Sequence, residues 1–207
     1  MFNESHCAQL ERGLNAMEIS LPQKNLQTLM AFLAMLLKWN RVYNLSAIKE
    51  PEQMVTLHLL DSLAVLPHLH GRRCIDVGTG AGLPGIPLAI ARPDIEFVLL
   101  DSNSKKTRFI QQACIELKLK NVFPLHERVE MYQPEQKFDT VTARAFTAML
   151  DLLTKTRHLL RENGQLLALK SSETDAPKHG RYRFERVEPL VISDLDAARN
   201  LVIYTAI

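Results

Sequence analysis

Residues 74–90, C-I-D-V-G-T-G-A-G-L-P-G-I-P-L-A-I, constrain this chain more than any other stretch. A short apolar run that suits a strand leads into the alternating glycines Gly78, Gly80 and Gly82, and then into a run that suits a helix. Glycine permits positive φ and close approach of the backbone to a ligand, at an entropic cost that a plain turn would bear without benefit. Strand, glycine loop and helix form the order of a nucleotide-type cofactor site, where ligands bind outside the carboxyl ends of parallel strands. The rest of the second half fits such a sheet. Strand-like runs at 74–77, 97–100, 122–125, 141–143 and 166–169 alternate with helix-like runs at 86–91, 105–117 and 149–160. This alternation predicts βαβ units, and right-handed crossovers make them a doubly wound, mostly parallel α/β sheet. Residues 182–192 and 201–207 read as two more strands. Their connection, S-D-L-D-A-A-R-N, is too short for a crossover, so an antiparallel C-terminal pair is expected.

The first 71 residues follow a different pattern. Leu26, Leu29, Met30, Leu33 and Leu37 share one face of an amphipathic helix. Pro22 stands near its start, where a missing N–H costs little. Further helical runs cover 5–17 and begin again near Pro51, through Leu59; no strand is expected before Arg72. The expected organisation is therefore a helical N-terminal extension, 1–71, and a catalytic domain, 72–207. The nearest thing to a linker is 171–180, S-S-E-T-D-A-P-K-H-G.

Composition excludes several classes. The chain has 207 residues, 46% hydrophobic and 23% charged, as in ordinary soluble domains. Cys7, Cys74 and Cys114 are too few and too scattered for a disulfide framework or a C-x-x-C metal site. Cys74 opens a strand and is expected in the core. The longest uncharged apolar-rich stretch near the start is 25–37, too short for a membrane-spanning helix, which takes about 20 residues. With no signal peptide in view, a soluble cytoplasmic monomer without a metal is expected. The net charge of +2 argues against bulk electrostatic coating of nucleic acid but leaves room for a local basic face.

Asp76 selects the cofactor class, while Asp101 suits the ribose of either candidate. Asp76 lies two residues before the first glycine, where a pyrophosphate would meet its negative charge. An ammonium-bearing sulfonium cofactor would be attracted instead. Gly80-Ala-Gly82-Leu-Pro-Gly85 also matches the dinucleotide pattern G-x-G-x-x-G. In the register set by Gly78, however, position 83 is leucine. Asp101, 25 residues after Asp76, ends the next strand and suits a ribose. In the loop after the third strand, Val129 and Glu130 are placed to border an adenine. D-V-G-T-G-A-G thus looks like the first motif of class I S-adenosylmethionine-dependent methyltransferases. An NAD-dependent oxidoreductase and a methyltransferase for another RNA or a small molecule remain alternatives.

A closer resemblance runs along most of the chain. D-V-G-T-G-A-G-L-P-G-I-P-L-A-I is similar, almost word for word, to the motif of the RsmG (glucose-inhibited division protein B) family, bacterial 16S rRNA guanine-N7 methyltransferases. W-N-R-V-Y-N-L-S-A-I (39–48), H-L-L-D-S-L (58–63), D-S-N-S-K-K-T-R-F (101–109), T-A-R-A-F (142–146) and L-A-L-K (167–170) agree as well. Family members usually carry N-L-T where this chain has Asn44-Leu45-Ser46. The resemblance implies S-adenosylmethionine as donor and guanine 527, in the 530 loop of the small ribosomal subunit, as acceptor. It also implies cofactor contacts from Gly78, Leu83, Val129, Glu130 and Arg144.

The residues suit that chemistry. Guanine N7 offers an in-plane lone pair at neutral pH, so alignment and exclusion of water suffice and no general base is assigned. No N-P-P-Y or Pro-Cys motif follows the fourth strand, F-D-T-V-T-A-R-A-F. Arg144 and Lys170, at the ends of the fourth and fifth strands, are the expected positioning residues, with a salt bridge to Asp139 as the plainer role for Arg144. His58 is read as a packing residue on an apolar helix face. Residues 1–71 carry 5 basic and 6 acidic side chains, and 72–207 carry 20 and 17. The expected RNA-facing edge comprises Lys178, Arg181, Arg183 and Arg186 together with Lys170, with Arg181 and Arg183 sharing a strand face.

Overall fold

A computed structural model describes residues 2–145, 148–171, 176–195 and 197–207. Phe146 of the T-A-R-A-F segment, residues 172–175 of the expected linker, and Asp196 in the last connection lie outside them. The chain begins with α1 (Glu4–Ala16) and α2 (Gln23–Tyr43). A continuous helical run follows: α3 (Pro51–Met54), a π-helical turn (Val55–Leu60) and α4 (Asp61–Leu63). Then come β1 (Arg73–Val77), α5 (Gly85–Ala91), β2 (Glu96–Asp101), α6 (Ser104–Glu116) and β3 (Val122–His126). The chain continues through β4 (Phe138–Arg144), α7 (Met149–Thr156), β5 (Leu160–Lys170), β6 (Tyr182–Pro189) and β7 (Asn200–Ala206).

The seven strands form one sheet in the order β3-β2-β1-β4-β5-β7-β6. The first five are parallel; β7 is antiparallel to both β5 and β6. This is the expected doubly wound sheet with an antiparallel C-terminal pair. The order reverses at β1, between β2 and β4, which places a crevice at the carboxyl end of β1.

Side-chain alternation divides the core into two layers. Cys74, Phe97 and Leu99 face one apolar cluster, and Ile75, Val98 and Leu100 face the other. The first cluster also takes Leu10, Leu33 and Leu60 from the N-terminal helices. Those helices therefore share a core with the sheet. Asn25 ties the start of α2 to the end of α5 by donating to the Ile90 carbonyl at 2.7 Å. The other end of α2 consequently reaches the rim above the carboxyl ends of the strands. Among the described residues, no helix is long and apolar enough to cross a membrane.

One boundary differs from expectation. The helix-like run 149–160 ends at Thr156 and passes through a 3-10 turn, Arg157–Leu159, into an 11-residue β5. The Arg157 guanidinium explains the change of direction. It donates to the carbonyls of Leu160, Arg181 and Ile207, tying the turn to the C-terminal strands.

Candidate active site

The glycine loop is held from beneath by one carboxylate. Asp76 is fully buried. Its Oδ2 accepts from the Thr79 hydroxyl (2.5 Å) and the Gly85 N–H (2.9 Å), and its Oδ1 accepts from the Thr142 hydroxyl (3.1 Å). Burial raises its pKa to about 6, opposed by these hydrogen bonds and by the charge of Arg144. Every donor in contact with it is neutral. The expectation for Asp76 changes accordingly: it anchors the loop, and a ligand above the loop meets its field rather than its oxygens. Gly78, Gly80 and Gly82 take φ of 66°, 62° and 82°. At Gly85 a Cβ would strike Leu99 and the Asp76 carboxylate, so that position admits nothing larger.

Beside the loop opens a cleft of 310 Å³. Gly78, Asp101, Lys106, Val129 and Glu130 are among the residues lining it. Asp101 is nearly buried; its Oδ2 accepts from the Gly80 N–H (2.9 Å) and its Oδ1 from the Asn103 N–H (2.8 Å). A carboxylate has about four acceptor positions, so two remain for a ligand. Lys106 Nζ lies 3.8 Å from Oδ2 at the mouth of the cleft. Val129 is buried in the wall, while exposed Glu130 pairs with Lys155 at 3.4 Å.

A second cleft, of 580 Å³, lies across the rim. Ser46, His58, Asp61, Arg144, Lys170 and Arg199 contribute to its lining. Asp61, buried at the end of the π turn, holds two arginines. Its Oδ2 accepts from Arg144 Nη1 and its Oδ1 from Arg199 Nε, each at 3.0 Å. Arg144 Nη1 also donates to the Leu57 carbonyl at 3.0 Å. Asp139, the alternative partner for Arg144, is instead engaged by Arg161 and by the N–H groups of Arg72 and Arg73. His58 Nε2 meets the Ser46 hydroxyl at 3.0 Å, and its buried Nδ1 has no hydrogen-bond partner among the described residues. Burial, reinforced by the charge of Arg144, lowers the His58 pKa to about 4, so the ring is neutral at pH 7. A narrower space of 200 Å³ joins the two clefts, and Leu83, Lys106, His58 and Arg144 line it.

The chain matches the family described as rRNA small subunit methyltransferase G over residues 25–202. It belongs to that family. The ribosomal RNA small subunit methyltransferase G of Chromobacterium violaceum is 47% identical over 201 residues, spanning 95% of this chain and 96% of its own. The protein of that name from Nitrosococcus oceani is 48% identical over 196 residues, spanning 93% and 92%. In fold alone, the chain resembles a SAM-dependent methyltransferase from Aquifex aeolicus, with TM-score 0.59 and 17% identity, covering 79% of this chain and 97% of that one. It also resembles magnesium protoporphyrin IX methyltransferase from Synechocystis, solved with bound SAM, with TM-score 0.58 and 14% identity, covering 91% and 99%.

In this member of the rRNA small subunit methyltransferase G family, the structure brings together most of the expected site residues. Gly78, Asp101, Val129 and Glu130 line the first cleft, Gly80 and Leu83 the neck, Arg144 the neck and the second cleft, and Lys170 the second cleft. It also adds residues that were not expected there. Asp61 and Arg199 carried no signal of their own. His58 is a buried ring that also lines the neck and second cleft, rather than a purely packing residue. The available pointer was the H-L-L-D-S-L segment, which contains both His58 and Asp61. The π turn is the local cause, since such turns recur at functional sites and break the regular helical repeat.

The structure spreads the expected RNA-facing edge along the sheet. Lys170 stands opposite Asn200, and Asn200 opposite Pro189, so the Pro189 end of β6 lies at the rim. Arg183 stands opposite Thr205, and Thr205 opposite Gln165. Arg183 is thus five strand positions from Lys170, roughly 17 Å at ~3.3 Å per residue. Lys178 and Arg181 precede β6 at that far end. Arg181 lies outside the strand, whereas a register shift between Phe184 and Arg186 puts Arg183 and Arg186 on one face. Both are paired with neighbours, Arg183 with Glu185 at 2.9 Å and Arg186 with Glu188 at 2.6 Å.

Proposed function

We propose that this chain transfers a methyl group from S-adenosylmethionine to N7 of guanine 527 in 16S rRNA, in the 530 loop of the small ribosomal subunit. The observation that carries the reading is a pair of clefts joined by a neck that Arg144 and Ala145 line, one of them beside a glycine loop with an acid ending the next strand, in a chain of this family. The first cleft fits the donor. Asp101 has acceptor positions left for the two ribose hydroxyls, buried Val129 offers an apolar wall for adenine, and Gly78 and Gly80 present loop backbone without a side chain. Glu130 borders the adenine edge, and Asp76 contributes through loop position and field. When bound, S-adenosylmethionine supplies a methyl group on an electrophilic sulfonium.

The second cleft suits guanine. The in-plane lone pair of N7 forms the new bond to carbon, and the electrons of the broken carbon–sulfur bond stay on sulfur. No proton moves in that step, so the chain needs no base. A neutral His58 agrees with this. Arg144, Lys170 and Arg199 bring donors that suit guanine O6 and RNA phosphates. Asp61 restrains Arg144 and Arg199 and offsets their charge, which favours a product base that becomes cationic. The walls of the second cleft limit water and hold the base in line, which supplies most of the catalysis by positioning.

On this reading the protein works in the cytoplasm on rRNA or a small-subunit particle. The test is deletion of the gene followed by chemical mapping of 7-methylguanosine in 16S rRNA. The modification at guanine 527 should disappear and return with the wild-type gene. Unchanged methylation in the deletion strain would refute the substrate.

A further inference from the structure

We propose that Tyr43, braced by Trp39 at the rim end of α2, is a stacking platform for an unpaired nucleobase of the substrate RNA next to the guanine being methylated. This rests on the rRNA reading above and adds a substrate contact outside both clefts.

Four observations support it. Tyr43 and Val42 are exposed, 44% and 71%, at the end of a helix whose opposite face is core. The Tyr43 ring is held in place: it stacks on Trp39 with centroids 5.2 Å apart and planes 30° apart, and Trp39 meets Phe109 of α6 edge-on at 5.6 Å. A ring fixed in the free protein loses little entropy when a base covers its outer face. The position is also apt, because Leu45 and Ser46, two and three residues on, line the neck and the second cleft. A base held on Tyr43 is therefore close enough to share a strand with one inserted in the cleft.

The surrounding charge selects nucleic acid over protein. Lys38, Arg41, Lys49 and Lys105 are exposed and have no ion-pair partner among the described residues. Lys105 stands one helical turn before Phe109 on the same face of α6, which brings it towards the two stacked rings. By contrast, Arg183 and Arg186 on β6 are each matched with a glutamate. Unmatched cations beside an exposed aromatic ring are the usual composition of a single-strand RNA platform, in which the ring takes a base and the cations take phosphates.

The experiment uses full-length protein and small-subunit particles from a strain lacking the gene. The variants are Tyr43→Ala, Tyr43→Leu and Tyr43→Phe, with Ile115→Ala on a distant exposed position as control. Loss of one base stack corresponds to about tenfold in affinity. Tyr43→Ala and Tyr43→Leu should raise KM for the particle by about that factor, with kcat and the Kd for S-adenosylmethionine close to wild type. Tyr43→Phe should retain wild-type KM. Trp39 is the single tryptophan, so its emission reports on the stack directly. A stem-loop RNA carrying the 530 loop should quench it in wild type and Tyr43→Phe and not in Tyr43→Ala. Wild-type KM in Tyr43→Ala would overturn the platform. So would full function in Tyr43→Leu, which would indicate an apolar contact with a ribosomal protein. A loss of S-adenosylmethionine binding in Tyr43→Ala would make the ring structural and equally overturn it. Absence of transfer by the wild-type protein would instead refute the rRNA reading on which the platform rests.

Discussion

The two clefts are built in opposite ways. The first cleft, proposed for the donor, comes from the stretch between Val77 and Glu130 with Ala145 added, and successive strand ends deliver their residues to the crevice in order. The second cleft, proposed for the guanine, gathers Ser46, His58, Asp61, Arg144, Lys170 and Arg199 from four parts of the chain, and its central ion pair joins residues 138 positions apart. Their central carboxylates differ too. Asp76 is fully buried and held by hydroxyls and an N–H, while Asp61 is held by two guanidinium groups. One carboxylate sets the shape of a loop; the other holds two cations. The contrast predicts that cofactor binding and substrate positioning can be perturbed separately, although the clefts share a neck.

The largest effect is expected at Asp76. Asp76→Ala leaves Thr79, Gly85 and Thr142 without their acceptor, and hydrogen bonds to charged groups contribute about 1.5–3 kcal/mol each. Calorimetry should show S-adenosylmethionine affinity falling on the order of 100-fold or more, together with a lower midpoint in urea. Normal affinity would contradict the anchoring role. Asp61→Ala should act on the other side. Truncating one partner of a charge pair that is largely desolvated typically weakens the interaction by about 30-fold or more. Here that loss should appear in kcat/KM for small-subunit particles, with the Kd for S-adenosylmethionine little changed. Equal losses in both measurements would break the separation of the clefts.

A smaller and sharper effect is expected with pH. Between about 4 and 6 the raised pKa of Asp76 makes the folded state bind more protons than the unfolded chain, so its contribution to stability falls as pH rises through that window. The lowered pKa of His58 acts in the opposite sense. Between about 4 and 6.5 the unfolded chain binds more protons, and stability rises with pH. Neither group titrates above neutrality, so methyl transfer should be level from about pH 7 to 9 and decline below about pH 6 as Asp76 is protonated. The two contributions oppose each other over nearly the same range, so urea midpoints should be close to level from pH 4 to 6 in wild type and should rise with pH in Asp76→Asn, where only the His58 contribution remains. The smallest effect belongs to β6. Arg183→Ala with Arg186→Ala removes two exposed, locally paired cations far from Lys170, and transfer to particles should stay within about twofold.

The legibility of the molecule follows the same division. The sheet, its antiparallel C-terminal pair and the strand-free first 71 residues were readable because alternating apolar runs and glycine spacing are local signals. Asp101 and Val129 were readable because they follow strand ends at set intervals. Asp61 and Arg199 were not, because a single acid or arginine carries no periodicity and their pairing depends on where the N-terminal helices dock. For His58 the expected burial is met, while its contact with Ser46 and its place beside Arg144 in the neck depend on tertiary packing that no local pattern shows. The pairing of the β6 arginines was not readable, because charge counting along a strand shows neither the direction of the strand nor the glutamates beside them.

The central claim is that these two clefts carry one methyl group to one guanine nitrogen. It is tested most directly by incubating the purified protein with S-adenosylmethionine labelled in its methyl group and small-subunit particles from a deletion strain, then locating the label in the RNA. The account predicts one labelled 7-methylguanosine per particle, at guanine 527. Label at another atom or another nucleotide, or none in the RNA, would contradict it.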